Sequence, residues 1–249
     1  MPEPLAMAVL FVVGALAASM NALAGGGSLI AFPAQIALGA SALHANATCS
    51  AALWLGGLGS ALGYYSQLHK TRRYLGLLAL PSALGSLVGA WLLAITSEQL
   101  FARVVPALVL LATLLLALRP WLRPAGARSV PVWLAVLGQF LICVYGGYFG
   151  AAMGILMLAL MGLFIEGDLH QLNALKMWLA MIVNVVATVA FVWQGLVQFK
   201  PMLAIAAGAL LGGYLAARLA QRIDPNRLRI FVVILGFALS LWFAYRAWL

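Results

Sequence analysis

The sequence predicts an all-α polytopic membrane protein built from two similar, inverted halves. Three observations carry that expectation. Apolar residues make up 65% of the 249 and charged residues 8%, for a mean hydropathy of +1.08, well outside the range of a soluble domain. The apolar residues gather into runs long enough to cross lipid. A single ungapped shift of 128 residues lays the second half over the first, pairing Gly26 with Gly154 and Gly85 with Gly213.

A spanning helix needs about 20 apolar residues, and the runs are 5–40, 44–68, 74–95, 100–118, 131–165, 169–198, 201–219 and 227–248. They are apolar all round, whereas an outer-membrane barrel alternates apolar and polar residues. The only linker-like stretch is Arg119–Arg128, RPWLRPAGAR. It divides the chain into a first transmembrane repeat (1–118), a linker (119–130) and a second repeat (131–249). The shift of 128 also pairs Gly39 with Gly167, Ala52 with Ala180 and Leu100 with Leu228, and it aligns the loops. Duplication is the usual architecture of secondary transporters. Each half is read as four segments, opening with a glycine-broken helix or re-entrant hairpin.

The net charge of +9 would suggest nucleic acid in a soluble chain. Here the basic residues flank apolar runs and form no surface interleaved with aromatics, so the expected partner is the bilayer and not nucleic acid. Their distribution orients the repeats. If every run crosses once, eight basic residues (Lys70, Arg72, Arg73, Arg119, Arg123, Arg128, Lys200, Arg246) oppose five (Arg103, Arg218, Arg222, Arg227, Arg229). If the first run of each half enters and returns, the last four of that five join the first six, and ten face three. The positive-inside rule prefers the second arrangement, with the linker in the cytoplasm and both termini outside.

The break itself is the strongest local signal. Asn21, three consecutive glycines (Gly25, Gly26, Gly27) and Ser28 interrupt the first run, followed by Pro33 and the polar cluster Asn46, Thr48 and Ser50. Lipid tolerates non-helical backbone only where protein or a cavity satisfies its polar groups. A limb restarting near Ser28 would aim unpaired N–H groups and a positive helix end at an anion. A second break is expected at Tyr145–Gly150, through Gly146, Gly147 and Gly150, with Gly154 beyond. The bland reading is that these glycines only relieve helix crowding.

Lys176 lies seven residues into an apolar helix, with Asn173 nearby and Asn184 at i+8 on roughly the same face. An intramembrane cation is costly and points to function; the alternative is snorkelling toward Glu166 or Asp168. Lys176, the two helix ends, Asn46, Thr48 and Asn184 together describe a pocket for a small oxyanion. No Asp or Glu falls inside a membrane run, which disfavours a carboxylate-coupled cation transporter. Cys49 and Cys143 form no CxxC and suggest neither a disulfide framework nor a metal site. Ala22-Leu23-Ala24 mimics a cleavage site, but Glu3 and the length of the apolar stretch argue for a retained N-terminus.

These residues bear a resemblance. Ala24-Gly25-Gly26-Gly27-Ser28 to Pro33, then Ala47-Thr48, then Gly146-Gly147-Tyr148-Phe149-Gly150, Lys176 and Asn184 resemble the sulfite exporter TauE/SafE family of bacterial transporters over nearly the whole chain. One departure is Gly150-Ala151-Ala152-Met153-Gly154, where the family more often has further glycine. The resemblance implies two four-segment repeats in the bacterial plasma membrane that move small, mostly sulfur-containing anions such as sulfite and organosulfonates. The expectation is therefore a secondary anion transporter working by alternating access, with no cofactor or metal, a coupling proton and a homodimer as further expectations. Two alternatives stand beside it: a passive anion channel, and an integral membrane enzyme acting on a lipid phosphate through Glu166, Asp168 and His170.

Overall fold

A computed structural model describes residues 3–23, 26–63, 71–118, 121, 131–165, 169–219 and 225–248. They form ten helices and, among the described residues, no strand. The first long run is two helices, α1 (Glu3–Leu23) and α2 (Ser28–Ala37), followed by α3 (Ala42–Gly63), α4 (Arg72–Ile95) and α5 (Glu98–Leu118). The run after the linker divides in the same way into α6 (Val132–Tyr148) and α7 (Met153–Phe164), then α8 (Leu169–Trp193), α9 (Phe199–Leu219) and α10 (Pro225–Trp248). Apart from Trp121, the linker 119–130 lies outside the described residues.

Five described helices are long and apolar enough to cross a membrane: Glu3–Asn21, Arg72–Ile95, Glu98–Leu118, Gln171–Trp193 and Arg229–Arg246. Their outer faces carry Leu80, Leu84, Trp91, Ile234 and Leu241, all exposed. Such a surface suits hydrocarbon and not water. Inside, one apolar cluster joins Met20, Phe101, Leu116 and Phe191, while a second gathers Met157, Met161, Leu172 and Leu179 beneath α6, α7 and α8.

Helix directions follow from specific contacts. α1 and α9 run alongside in the same sense: Lys200 pairs with Glu3 at 2.7 Å near their starts, and Ser19 donates to the Gly212 carbonyl at 3.0 Å further on. A methyl on Gly208 or Gly212 would strike the α1 backbone at Phe11 or Ala15. The four-residue glycine spacing thus sets how closely these two helices approach. Gly85 and Gly89 do the same for α4 against α6, where Gln139 donates to Ser82 at 2.9 Å. α3 follows α9, since the Gln198 N–H meets Thr48 and Gly56 abuts Ala209 and Gly213. α6 ends where α3 begins, for Asn46 donates to the Tyr148 carbonyl at 2.8 Å. α5 and α10 run against each other, with Gly236 beside Thr113 and Ser240 donating to the Pro106 carbonyl at 2.9 Å. At the start of α3, Glu98 accepts from the Ser41 hydroxyl at 2.9 Å and the Leu43 N–H at 3.2 Å. It satisfies a first-turn donor that the helix itself cannot.

The short helix α2 ends by a device readable in its backbone. Gly39 sits at φ +97° while the Ala40 N–H returns to the Gln35 carbonyl at 3.1 Å. Left-handed backbone of this kind is the glycine-dependent close of a helix. The chain then turns at once into α3.

Candidate functional site

The first break folds α2 back along α1. Gly26 takes φ +84°, and the Gly27 N–H donates to Asn21 Oδ1 at 2.7 Å. A side chain on Gly27 would collide with the Ala17 carbonyl, so the return is tight because residue 27 has none. Asn21 thereby occupies one donor expected to face an anion. The Ser28 N–H, first in α2, has no acceptor within the helix. Gly25 lies outside the described residues.

The second break differs from expectation. Gly146 and Gly147 remain inside the last turn of α6, and the chain leaves the helix at Phe149–Ala152. The reason is packing: a methyl on Gly147 would meet the Ser86 backbone of α4, and one on Gly146 would meet the Met153 side chain. These two glycines serve close approach, and the turn falls to Gly150 at φ +75° and Ala152 at φ +60°. A left-handed alanine costs about 1–2 kcal/mol. Ala152→Gly is therefore expected to stabilise the protein by about 1 kcal/mol after the added chain entropy is subtracted. A rise in unfolding temperature in detergent checks it, and an unchanged or lower temperature contradicts it.

Between the two breaks lies a cavity of about 270 Å³. From the first half it is lined by Asn21, Gly26, Ser28, Asn46, Ser50 and Trp54, and from the second by Gly150, Gly154, Asn173, Lys176 and Asn184. Phe32 and Phe149, edge to face at 5.6 Å between ring centroids, form part of its wall. Leu53, Met177 and Met181 add apolar surface. Lys176 is the one lining residue among the Lys, Arg, His, Asp and Glu of the described chain, so the cavity has a positive bias. The Lys176 stem passes over Gly154, whose absent side chain leaves it room, and Nζ donates to Asn173 Oδ1 at 3.1 Å. Glu166 and Asp168, the partners that snorkelling would use, lie outside the described residues. The Asn184 amide donates to the Ala180 carbonyl at 2.8 Å and that of Asn46 to the Tyr148 carbonyl. An amide nitrogen carries two hydrogens, so one on each is left for a guest. The N–H of Gly154, second in α7, again has no acceptor within its helix.

Thr48 is not brought to the cavity. It is fully buried, and its hydroxyl oxygen accepts the Gln198 N–H at 3.0 Å just before α9. Two positions along a helix turn a side chain to the far face, which is why Asn46 and Ser50 point inward and Thr48 does not. Thr48→Val is expected to cost about 1–2 kcal/mol of stability, through the orphaned Gln198 donor, with ligand affinity unchanged in a binding titration. Sequence reasoning missed Trp54, Phe32 and Phe149. Trp54 was accessible to it, being at i+4 from Ser50 and i+8 from Asn46. Among the described residues no group of three His, Cys, Asp or Glu could hold a metal ion. The Glu166, Asp168 and His170 cluster falls where side chains are not described.

A bundle with a lipid-compatible exterior and several apolar helices around a polar, cation-bearing cavity defines a multi-pass membrane protein. The family model for the sulfite exporter TauE/SafE matches residues 10–243, and the chain belongs to that family. It is 25% identical to a Haemophilus influenzae protein named "Probable membrane transporter protein", over 94% of this chain and 92% of that one. It is 28% identical to "Probable membrane transporter protein ORF9" of a Sinorhizobium species, over 94% and 91% of the two chains. It is 25% identical to "Probable membrane transporter protein YfcA" of Escherichia coli K12, over 96% and 90%. No solved structure matches. Family and relatives agree on membrane transport.

Proposed function

We propose that the protein is a secondary transporter of a small, sulfur-containing organic or inorganic anion of the sulfite or sulfonate class. The anion sits between the two breaks, near the midplane. Asn21, Ser28, Asn46, Gly150, Gly154, Lys176 and Asn184 surround it, with Gly26 and Gly27 shaping the first turn. The observation that carries this reading is convergence: Lys176, the single lining cation among the described residues, and the first turns of α2 and α7 meet at one cavity. Helix N-termini and a half-buried ammonium each favour an anion, and their combination leaves no comparable attraction for a cation.

We further infer that the two halves are inverted repeats. Supporting this, the starts of α2 to α5 recur about 128 residues later in α7 to α10, since 28 and 153, 42 and 169, 72 and 199, and 98 and 225 differ by 125 to 127. The contacts also come in exchanged pairs, α1 on α9 matching α6 on α4, while α1 and α6 point in opposite senses. This arrangement puts ten basic residues on one face, the cytoplasmic one, with the linker, and both termini outside the bacterial inner membrane. Rocking of one repeat against the other would alternate access to the site.

A binding screen tests the substrate class. Purified protein is expected to gain thermal stability with sulfite, sulfonates or thiosulfate, by about 3 kcal/mol when the anion is at 100 times its Kd, and not with small cations. Stabilisation by none of these anions would sink the reading.

A further inference from the structure

A second, smaller pocket of about 90 Å³ lies near the starts of α1 and α9, lined by Met7, Leu10, Gln35, Ala40, Gln198 and Pro201. Along α1 the main cavity begins at Ala18 and the small pocket stops at Leu10. Eight residues of helix separate them, about 12 Å. One hydrogen bond forms the partition: Gln35 faces the small pocket, Cys49 faces the main cavity, and Gln35 Nε2 meets Cys49 Sγ at 2.7 Å. The same Nε2 donates to the Ala45 carbonyl at 3.1 Å, which fixes the amide orientation, because its oxygen would be repelled there. Phe32 on Phe149 and Asn46 on the Tyr148 carbonyl complete the layer.

Two features mark this layer as movable. Gln35 is 1% exposed, yet its Oε1 has no hydrogen-bond partner among the described residues. A buried acceptor left unsatisfied offsets much of what the two Nε2 bonds contribute, so the closed arrangement is held only weakly. The helix carrying Gln35 is also hinged at both ends, by Gly26 at φ +84° and Gly39 at φ +97°, and beside Gly39 there is open space.

We propose that this layer is the shut gate of a second access route to the cavity, that the small pocket is its outer vestibule, and that Gln35 is the latch holding α2 to α3. The proposal rests on the alternating-access reading and deepens it, naming the face that is closed in this conformation and the residue that closes it. Opening withdraws Gln35 from Ala45 and Cys49 and admits water to its lone Oε1. Gln35 is a positioning residue and need not touch the anion.

Cys49 reports on the gate directly. In a Cys143→Ser background it is the one remaining thiol of the two, and its reaction with an impermeant methanethiosulfonate can be followed from either face, in spheroplasts and in inside-out vesicles. With Gln35 present, Cys49 is expected to react faster from the face at the C-terminal end of α1. Gln35→Met keeps the bulk and drops both bonds. It is expected to raise the rate from the opposite face about fivefold, the one hydrogen bond's worth of equilibrium left when the unsatisfied Oε1 is set against the two Nε2 bonds, and to leave the first rate within about twofold. Gln35→Asn, too short to span to Cys49, carries the same expectation should the Met variant fail to fold. Equal reactivity from both faces in the parent, or no increase in either variant, overturns the proposal. The assay needs no transported anion. Absence of anion binding alongside latch-dependent labelling would therefore refute the substrate reading and leave the gate.

Discussion

Lys176→Met is expected to weaken anion binding by about 10- to 100-fold, the worth of one charge-assisted contact in a partly buried site, and to abolish transport at ordinary concentrations. Methionine can follow the path of the lysine stem across Gly154, and the cavity already holds Met153, Met177 and Met181. The fold therefore tolerates the change while the cavity loses its only described lining charge. Removing an ammonium from an apolar helix should also raise the unfolding temperature without ligand. The two readouts thus move in opposite directions, which a merely structural role for Lys176 does not predict. Anion-induced stabilisation equal to that of the parent would contradict the assignment.

Gly208→Leu is expected to destroy the folded state. Position 208 presses on the α1 backbone at Phe11 and Ala15, and the collision is with main chain, which cannot step aside as a flexible side chain would. Overpacking alone costs about 1–3 kcal/mol. Here the two helices must also separate along a seam that includes Gly212 and the Ser19 hydrogen bond. The sum exceeds about 3 kcal/mol, a large share of ordinary stability. Size-exclusion of the detergent-extracted protein should show aggregate where the parent gives a single peak. Gly76→Ala, which meets nothing within 4 Å, is the control and should be neutral or stabilising by less than about 1 kcal/mol. A well-folded Gly208→Leu protein would mean that α1 and α9 are not packed as described.

Much of the candidate site was legible because its chemistry is costly in lipid. A lysine and three clustered glycines are conspicuous against an apolar background, and the cavity gathers Asn21, Gly26, Ser28, Asn46, Gly150, Gly154, Lys176 and Asn184 around that pair of signals. What was illegible depended on rotation and on neighbours. Thr48 differs from Asn46 only in helix phase, and its role as acceptor for Gln198 arises across 150 residues of chain. Gly146 and Gly147 read as a break, but contact with Ser86 and Met153 keeps them helical and moves the turn to an alanine. Gln35 stood out to no local rule, since a glutamine on a short apolar helix gains meaning only between two pockets. The division of each opening run into a long and a short helix was visible in the glycines, whereas the pairing of α1 with α9 and α4 with α6 had no signal beyond their small-residue spacing.

A carrier whose one cavity binds a small anion and is exposed alternately to the two faces exchanges anion across the membrane. Counterflow in proteoliposomes preloaded with unlabelled sulfite or a small sulfonate tests it most directly. External labelled anion is expected to accumulate transiently above equilibrium, the initial rate to saturate, and Lys176→Met to abolish both. Flux that rises linearly with concentration, shows no stimulation by internal anion and appears as single-channel current would contradict it.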